Sequence, residues 1–288
     1  MSNIEGKNFY KARAGAWADP YGVFWLKVKK VLSDGKLLFS NLPERGRTKV
    51  KKIEDEKIES DLIYPAIQGP NIKRWGFNSD FFVLIVNDKN DPMKGYDESV
   101  MISKWPLTFA YLTQFRNELL ERASYKKFHL KQGHPFYSQY NIGDYTFSRY
   151  KVVWKRMTTD IVATVVSEIK TLSEEKTSFG YKQVIPLDTT VFFPVDNESE
   201  AHYLCAIINS KPVRDFIKSF SSAGRGFGTP SVMEHVGIPK FDLKNPLHQK
   251  LAEISKKCHQ LKAEGKEKEI AKLEKENDEL VKQLFGIK

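Results

Sequence analysis

In the first hundred residues the apolar positions come in short runs and alternations bounded by turn residues. Gly22 to Lys30 and Lys36 to Ser40 flank Ser33-Asp34-Gly35, a turn between two β-favouring runs, which predicts a hairpin. Phe81-Phe82-Val83-Leu84-Ile85-Val86, closed by Asn87-Asp88, reads as a strand buried on both faces. A spacing of four takes over at Pro106, a residue suited to the first turn of a helix. Leu107, Tyr111, Phe115 and Leu119 give that helix one apolar face. From His129 to Tyr150 no period holds and the stretch reads as a long loop. Strands resume at 151–154, 161–166 and 191–193. Asn197 with Glu200 three residues on predicts a capped helix start. That helix presents Leu204, Ile207 and Ile208, breaks near Asn209-Ser210-Lys211-Pro212 and restarts through Phe216, Ile217 and Phe220. Strands and helices mix without regular alternation, so the expected class is α+β.

The last segment has its own period. Leu247, Leu251, Ile254, Cys258 and Leu261 recur at heptad spacing. Beyond Gly265, so do Ile270, Leu273, Asn277, Leu280 and Leu284. The expected organisation is therefore a mixed strand and helix domain over 1–240, then a coiled-coil-like helical segment over 241–288. The two heptads on each side of Gly265 suit either a helical hairpin packed on its own domain or a helix-mediated homodimer.

Charge changes the picture more than composition does. The chain of 288 residues carries a formal charge of +10. From Phe241 onward eleven Lys face nine Asp or Glu, leaving 35 basic against 27 acidic residues, net +8, in the first 240. All ten arginines lie in that first part. Arginine offers a planar fork of donors that fits phosphates and the guanine edge, so the balance tilts toward a polyanionic partner. The sequence shows no run of eighteen apolar residues, so no membrane span is expected. The first residues lack a signal-peptide core, which points to a cytoplasmic protein. Cys205 and Cys258 cannot make a disulfide framework.

Several segments, in order, carry a family likeness. They are Tyr10-Lys11-Ala12-Arg13-Ala14-Gly15 with Gly22-Val23-Phe24-Trp25, Leu62-Ile63-Tyr64-Pro65, and Trp105-Pro106-Leu107-Thr108-Phe109-Ala110-Tyr111-Leu112. Then come Lys151-Val152-Val153-Trp154-Lys155-Arg156, Leu204-Cys205-Ala206-Ile207-Ile208-Asn209-Ser210, Val236-Gly237-Ile238-Pro239 and the closing Leu280 to Ile287. Together they resemble the TaqI-like specificity domains at the C-terminal end of adenine-specific DNA methyltransferases of prokaryotic restriction–modification systems. The resemblance implies a target-recognition domain for double-stranded DNA that does no chemistry itself. It also implies a methyltransferase domain or subunit as partner, which would hold S-adenosylmethionine; no cofactor is expected in this chain. One departure is Gln68-Gly69-Pro70-Asn71, where the family has Arg-Gly-Arg-Asp. A family-type Asn-Pro-Pro-Tyr is missing, Asn90-Asp91-Pro92-Met93 being the nearest stretch.

Candidate contacts follow. In Ser221 to Pro230 the glycines around Arg225, Gly224 and Gly226 among them, leave backbone N–H groups open to phosphates. The same composition also serves a plain connector. Arg45-Gly46-Arg47 with Lys49, Lys51 and Lys52 forms a basic stripe, fit for phosphates or for a solvated strand face. Asn141, Tyr145 and Arg149 lie in the long loop, with side chains suited to base edges or to a satellite core. In Lys73-Arg74-Trp75 the indole is expected in the core, with Arg74 left open between a DNA contact and an outward-snorkelling cation. Two patterns suggest enzymes. Asp160 with Glu168 and Lys170 has the residue types of a magnesium-dependent nuclease, and His202 with Cys205 the spacing of a metal pair on a helix. For the second, helical packing is the expected role.

Overall fold

The computed structural model describes residues 3–221 and 226–287. The chain runs through β1 (Arg13–Ala14), α1 (Tyr21–Phe24), β2 (Trp25–Val31), β3 (Leu37–Asn41), β4 (Glu56–Ile58) and β5 (Ile63–Ile67). It continues through β6 (Ile72–Lys73), β7 (Gly76–Phe77), β8 (Phe81–Leu84), α2 (Glu98–Lys104), α3 (Pro106–Thr113), α4 (Arg116–Glu121) and α5 (Ala123–Phe128). Strands β9 (Tyr150–Lys155), β10 (Ala163–Val166), β11 (Glu168–Leu172), β12 (Ser178–Gln183), β13 (Ile185–Pro186) and β14 (Thr190–Val195) come next. Helices α6 (Glu198–Asn209), α7 (Lys211–Phe220), α8 (Pro230–Met233), α9 (Pro246–Ala263) and α10 (Glu267–Leu284) end the chain. The fold is α+β with C-terminal helices, as expected from the mixed periods. No helix among the described residues is long and apolar enough to cross a membrane.

Two sheets organise it. A six-stranded sheet has the order β13-β5-β8-β2-β3-β4, antiparallel except where β13 runs beside β5. A four-stranded antiparallel sheet has the order β1-β14-β9-β10. The chain crosses between them repeatedly, since β1, β9, β10 and β14 belong to one and β2 to β5, β8 and β13 to the other. The hairpin read at Ser33-Asp34-Gly35 is β2–β3; Gly35 has φ +79°, the left-handed conformation that needs no Cβ.

The six-stranded sheet buries Phe24, Phe39 and Val83 with Tyr111, Leu112, Phe115 and Leu119. The single helix read through Leu107 and Leu119 is two. Its ladder tightens to i→i−3 bonds at Gln114 and Phe115, so α3 ends and α4 begins one turn on. Three of the four apolar residues still reach the core, while Leu107 stays half-buried. The stretch 129–150 has short turns and no long strand, yet buried polar groups hold it. Arg122, 5% exposed, donates to the carbonyls of Leu119, Asp19, Phe136 and Ser138. Gln139 meanwhile pairs with Val86 and Leu84. Each bond satisfies a group that would be costly to bury alone.

The four-stranded sheet is covered on both faces. Val152, Trp154, Val191 and Phe193 pack against α6 in a core completed by α9 and α10, whereas Val153, Phe192 and Val166 meet Ile67, Ile72 and Val184. That is why these strands read as continuous apolar runs rather than alternations. Asn197 caps α6 by accepting from the Glu200 N–H at 3.0 Å, and Ser210 caps α7. The heptad residues Leu251, Ile254, Cys258, Leu261, Ile270 and Asn277 are buried within this chain. Asn277 donates to the Ala206 carbonyl at 2.9 Å, fixing α10 against α6. Within this chain the heptads serve the intramolecular hairpin, α9 packing on α6 and α10 on α9.

Candidate nucleic-acid interface

Loops from both sheets converge along one seam. From the six-stranded sheet come Tyr21, the turn Pro43–Arg45 with Gly46 and Arg47, and the turn Gly69–Asn71. From the four-stranded sheet come Arg156, at the end of β9, and Asp188-Thr189, between β13 and β14. The described part of the glycine-rich loop also joins it, through Gly228.

Short bonds define the arrangement. The Tyr21 hydroxyl donates to Asp188 Oδ2 at 2.5 Å. The Tyr21 ring stacks on Trp25 with centroids 4.0 Å apart and planes 8° from parallel. The Gly69 N–H donates to Thr189 Oγ1 at 2.9 Å, and the Arg156 N–H to the Thr189 carbonyl at 3.0 Å. The Arg156 carbonyl accepts from the Gly228 N–H at 3.0 Å. A Cβ on Gly228 would sit 2.0 Å from the Lys155 carbonyl, so only glycine allows this approach. The indole N–H of Trp154 donates to the Gly228 carbonyl at 2.9 Å. Asn71 and Arg45 meet on Asp80, at 3.1 Å and 2.9 Å. Burial pushes the Asp188 carboxyl above its ordinary range, against the Tyr21 hydrogen bond and the nearby charge of Arg156.

The sequence candidates divide accordingly. Arg45 and Arg47 lie at the seam, Arg45 paired with Asp80 and lying over the Phe81 ring at 4.8 Å. Arg47 is exposed, and no ion pair engages it among the described residues. Gly226 lies in the same loop as Gly228, exposed, with open space where a Cβ would point. Gly224 and Arg225 lie outside the described residues.

Lys49 and Lys51 are exposed on the loop that follows Arg47. Their stripe is held not by strand pairing but by Asn41, whose amide binds the Gly22 and Lys51 carbonyls and accepts from Ile53. Lys51 turns toward the helices, its ammonium 2.7 Å from Gln114 Oε1. Asn141 is a clamp, its amide donating to the Ala14 and Gly15 carbonyls at 2.8 and 2.9 Å. Tyr145 bonds to Asn141 and carries Arg13 over its ring. Arg149 is exposed, its guanidinium over the Tyr150 ring at 5.5 Å, and it joins none of these seam bonds among the described residues.

Arg74 belongs to a different structure. Asp160 receives Arg214 at 2.8 Å, Lys218 at 3.0 Å and Arg74 at 3.7 Å, while Arg74 also reaches Glu274 at 3.3 Å. Glu274 accepts from the Trp75 indole at 2.8 Å, and Trp75 is buried as expected, at φ +63°. Burial raises the Asp160 carboxyl, but the Lys218 hydrogen bond and the Arg214 charge prevail and hold it below its ordinary value.

The nuclease constellation is not assembled. Glu168 and Lys170 sit on the β11–β12 hairpin opposite Gln183 and Tyr181, and among the described residues no bond joins them to Asp160. No group of three His, Cys, Asp or Glu able to hold a metal occurs among the described residues. His202 bonds Ser255 at 3.0 Å and packs edge-on to His259, and Cys205 is enclosed beside Asn209. Both fill the helical core.

Sequence reading missed Tyr21, Arg156 and the Asp188-Thr189 turn. The signal for the turn was a polar pair between two apolar strands; nothing local marked Tyr21.

No family model matches the chain, and no curated protein does. Among solved structures it is similar to the Type IIL restriction-modification enzyme MmeI in complex with DNA, at 12% identity and a TM-score of 0.58. That match covers 99% of this chain and 34% of the other, so the chain spans about a third of the length of its neighbour. The likeness is one of fold.

Proposed function

We propose that this chain is the DNA target-recognition part of a restriction–modification system, reading duplex sequence for an adenine-specific methyltransferase domain or subunit. S-adenosylmethionine and the base-flipping pocket belong, in this reading, to that partner. The observation that carries it is the seam, where arginines and a glycine-tethered loop from two separate sheets meet on a fold similar to that of an enzyme solved with DNA. A seam edged by exposed cations such as Arg47 and Lys49 suits phosphates, and the polar turn residues beside them suit base edges.

Fluorescence anisotropy with labelled duplex across a salt series tests the reading. Neutralising about five phosphates gives a log–log slope of roughly −4 to −5. Absence of duplex binding at low salt would sink the proposal. So would transfer of a labelled methyl group from S-adenosylmethionine to DNA by this chain alone, because that activity is assigned to the partner.

A further inference from the structure

We infer that Arg156 reads a guanine, and that Asp188 and Tyr21 are the positioning residues that hold its guanidinium for that task. The inference rests on the DNA-recognition reading and assigns a role within the same seam.

Three observations carry it. First, Arg156 is mounted rigidly. Its N–H and carbonyl are both taken, by Thr189 and Gly228 at 3.0 Å each, so its Cα cannot drift relative to β14 or to the glycine-rich loop. Base reading needs such a mount, whereas phosphate contacts tolerate a loose one.

Second, the fork is oriented but not used up. Nη1 donates to the Asp188 carbonyl at 3.4 Å, a long bond, and no other hydrogen bond engages the guanidinium among the described residues. A guanidinium has five N–H donors. The Asp188 side chain is in turn held by Tyr21, and Tyr21 by stacking on Trp25 at the start of β2. A chain of contacts thus runs from the core of the six-stranded sheet to the Arg156 head.

Third, the charge balance favours a neutral acceptor. Asp188 lies beside Arg156, its carbonyl 3.4 Å from Nη1, and its carboxylate is near enough to feel the guanidinium's charge. A phosphate would be attracted by one and repelled by the other. Guanine O6 and N7 are uncharged acceptors spaced for an arginine fork, and they keep the full benefit of the donors. Arg47, exposed and without an ion pair among the described residues, is the contrasting phosphate-type cation. Arg45 is unsuited to either task, because Asp80 and the Phe81 ring already hold it.

The experiment is selection from a randomised duplex pool with the full chain, followed by sequencing of the bound fraction. The expected consensus contains a guanine whose preference disappears in Arg156→Ala. Affinity for the selected site should drop roughly ten- to a hundredfold, with non-cognate duplex changing by less than about twofold. Replacing that guanine by 7-deazaguanine should weaken the wild type and leave Arg156→Ala unaffected. Arg156→Lys keeps the charge and loses the fork, so it should show the same lost preference even if the alanine variant folds poorly. Tyr21→Phe should reduce the guanine preference partially, without altering non-cognate binding.

Equal weakening on cognate and non-cognate DNA would make Arg156 a phosphate contact and overturn the inference. An unchanged consensus in both Arg156 variants would overturn it as well, while leaving the recognition role standing. Duplex binding with no consensus at all removes base reading from the seam, and no duplex binding removes the proposed function itself.

Discussion

Two groups of arginine in this molecule have opposite fates. At the Asp160 knot, Arg74, Arg214 and Lys218 gather on one carboxylate, with Arg74 further matched by Glu274. At the seam, Arg47 is exposed without an ion pair among the described residues, and Arg156 makes a single long bond to a carbonyl. The two groups are similar in residue type and opposite in availability. The knot ties the turn carrying Arg74 and Trp75 to α7 and α10, so its cations serve the fold. The seam leaves Arg47 exposed and holds half-buried Arg156 by its backbone, through Thr189 and Gly228, with most of its side-chain donors unused.

The comparison breaks most visibly at its centre. Asp160→Ala strips the shared carboxylate from two partly buried arginines and an exposed lysine, and a loss of about 2–3 kcal/mol is expected, discounted from a fully buried pair because Asp160 is about one third exposed. Urea unfolding measures it; a midpoint equal to that of the wild type would mean the knot is ornamental. Duplex affinity of the folded variant should be unchanged.

A third kind of cation sharpens the contrast. Lys151 on β9 has 0% exposure, and among the described residues its ammonium makes one hydrogen bond, to the Ser148 carbonyl at 2.8 Å, and no ion pair. Burial pushes its pKa down to about 7. The folded state therefore binds its proton less readily than the unfolded chain, and this residue's contribution to stability rises as pH climbs from about 7 toward the unfolded value near 10.5. Lys151→Met should stabilise the protein at pH 7 by about 1–3 kcal/mol and flatten the difference between pH 7 and 9. Chemical denaturation at both pH values reads this. Equal pH dependence in variant and wild type would show that the ammonium reaches water.

The Asn141 clamp tests whether the long loop is scaffold or reading surface. Asn141→Ala removes two hydrogen bonds to the backbone of Ala14 and Gly15, and about 1–2 kcal/mol of stability should go with them. Loss of DNA affinity with unaltered unfolding would reverse that assignment. The smallest effect belongs to Arg47→Ala. Stability should stay within about 0.5 kcal/mol, and the salt slope of duplex binding should fall by about one unit. A variant with the wild-type slope would place Arg47 outside the interface.

Much of the secondary structure was legible because its causes are local. Ser33-Asp34-Gly35 supplies a left-handed glycine between two strands, and Asn197 is three residues from the N–H it caps. Gly265, at φ +73°, separates two helices of heptad spacing. The hairpin β11–β12 escaped notice because Glu168 to Leu172 alternates charge with apolar residues in a segment rich in Lys and Glu, and its partner strand opens with Ser178-Phe179-Gly180. Of the candidate site, the basic turn at Arg45 and Arg47 and the glycine-rich loop were visible as composition. Their meeting was not, because it depends on Thr189 and Asp188, far along the chain from Gly69 and Tyr21.

By itself the sequence determined the α+β class, the hairpin, the caps and the two C-terminal helices, since backbone preference and residue spacing act within a few positions. Which arginines remain free, whether the heptads close on their own chain, and which loops form the seam were decided by tertiary structure. Those outcomes depend on which carboxylates and carbonyls folding brings within bonding distance of each cation. Asp160 and Arg214 are 54 positions apart and bonded at 2.8 Å, a pairing no local pattern encodes.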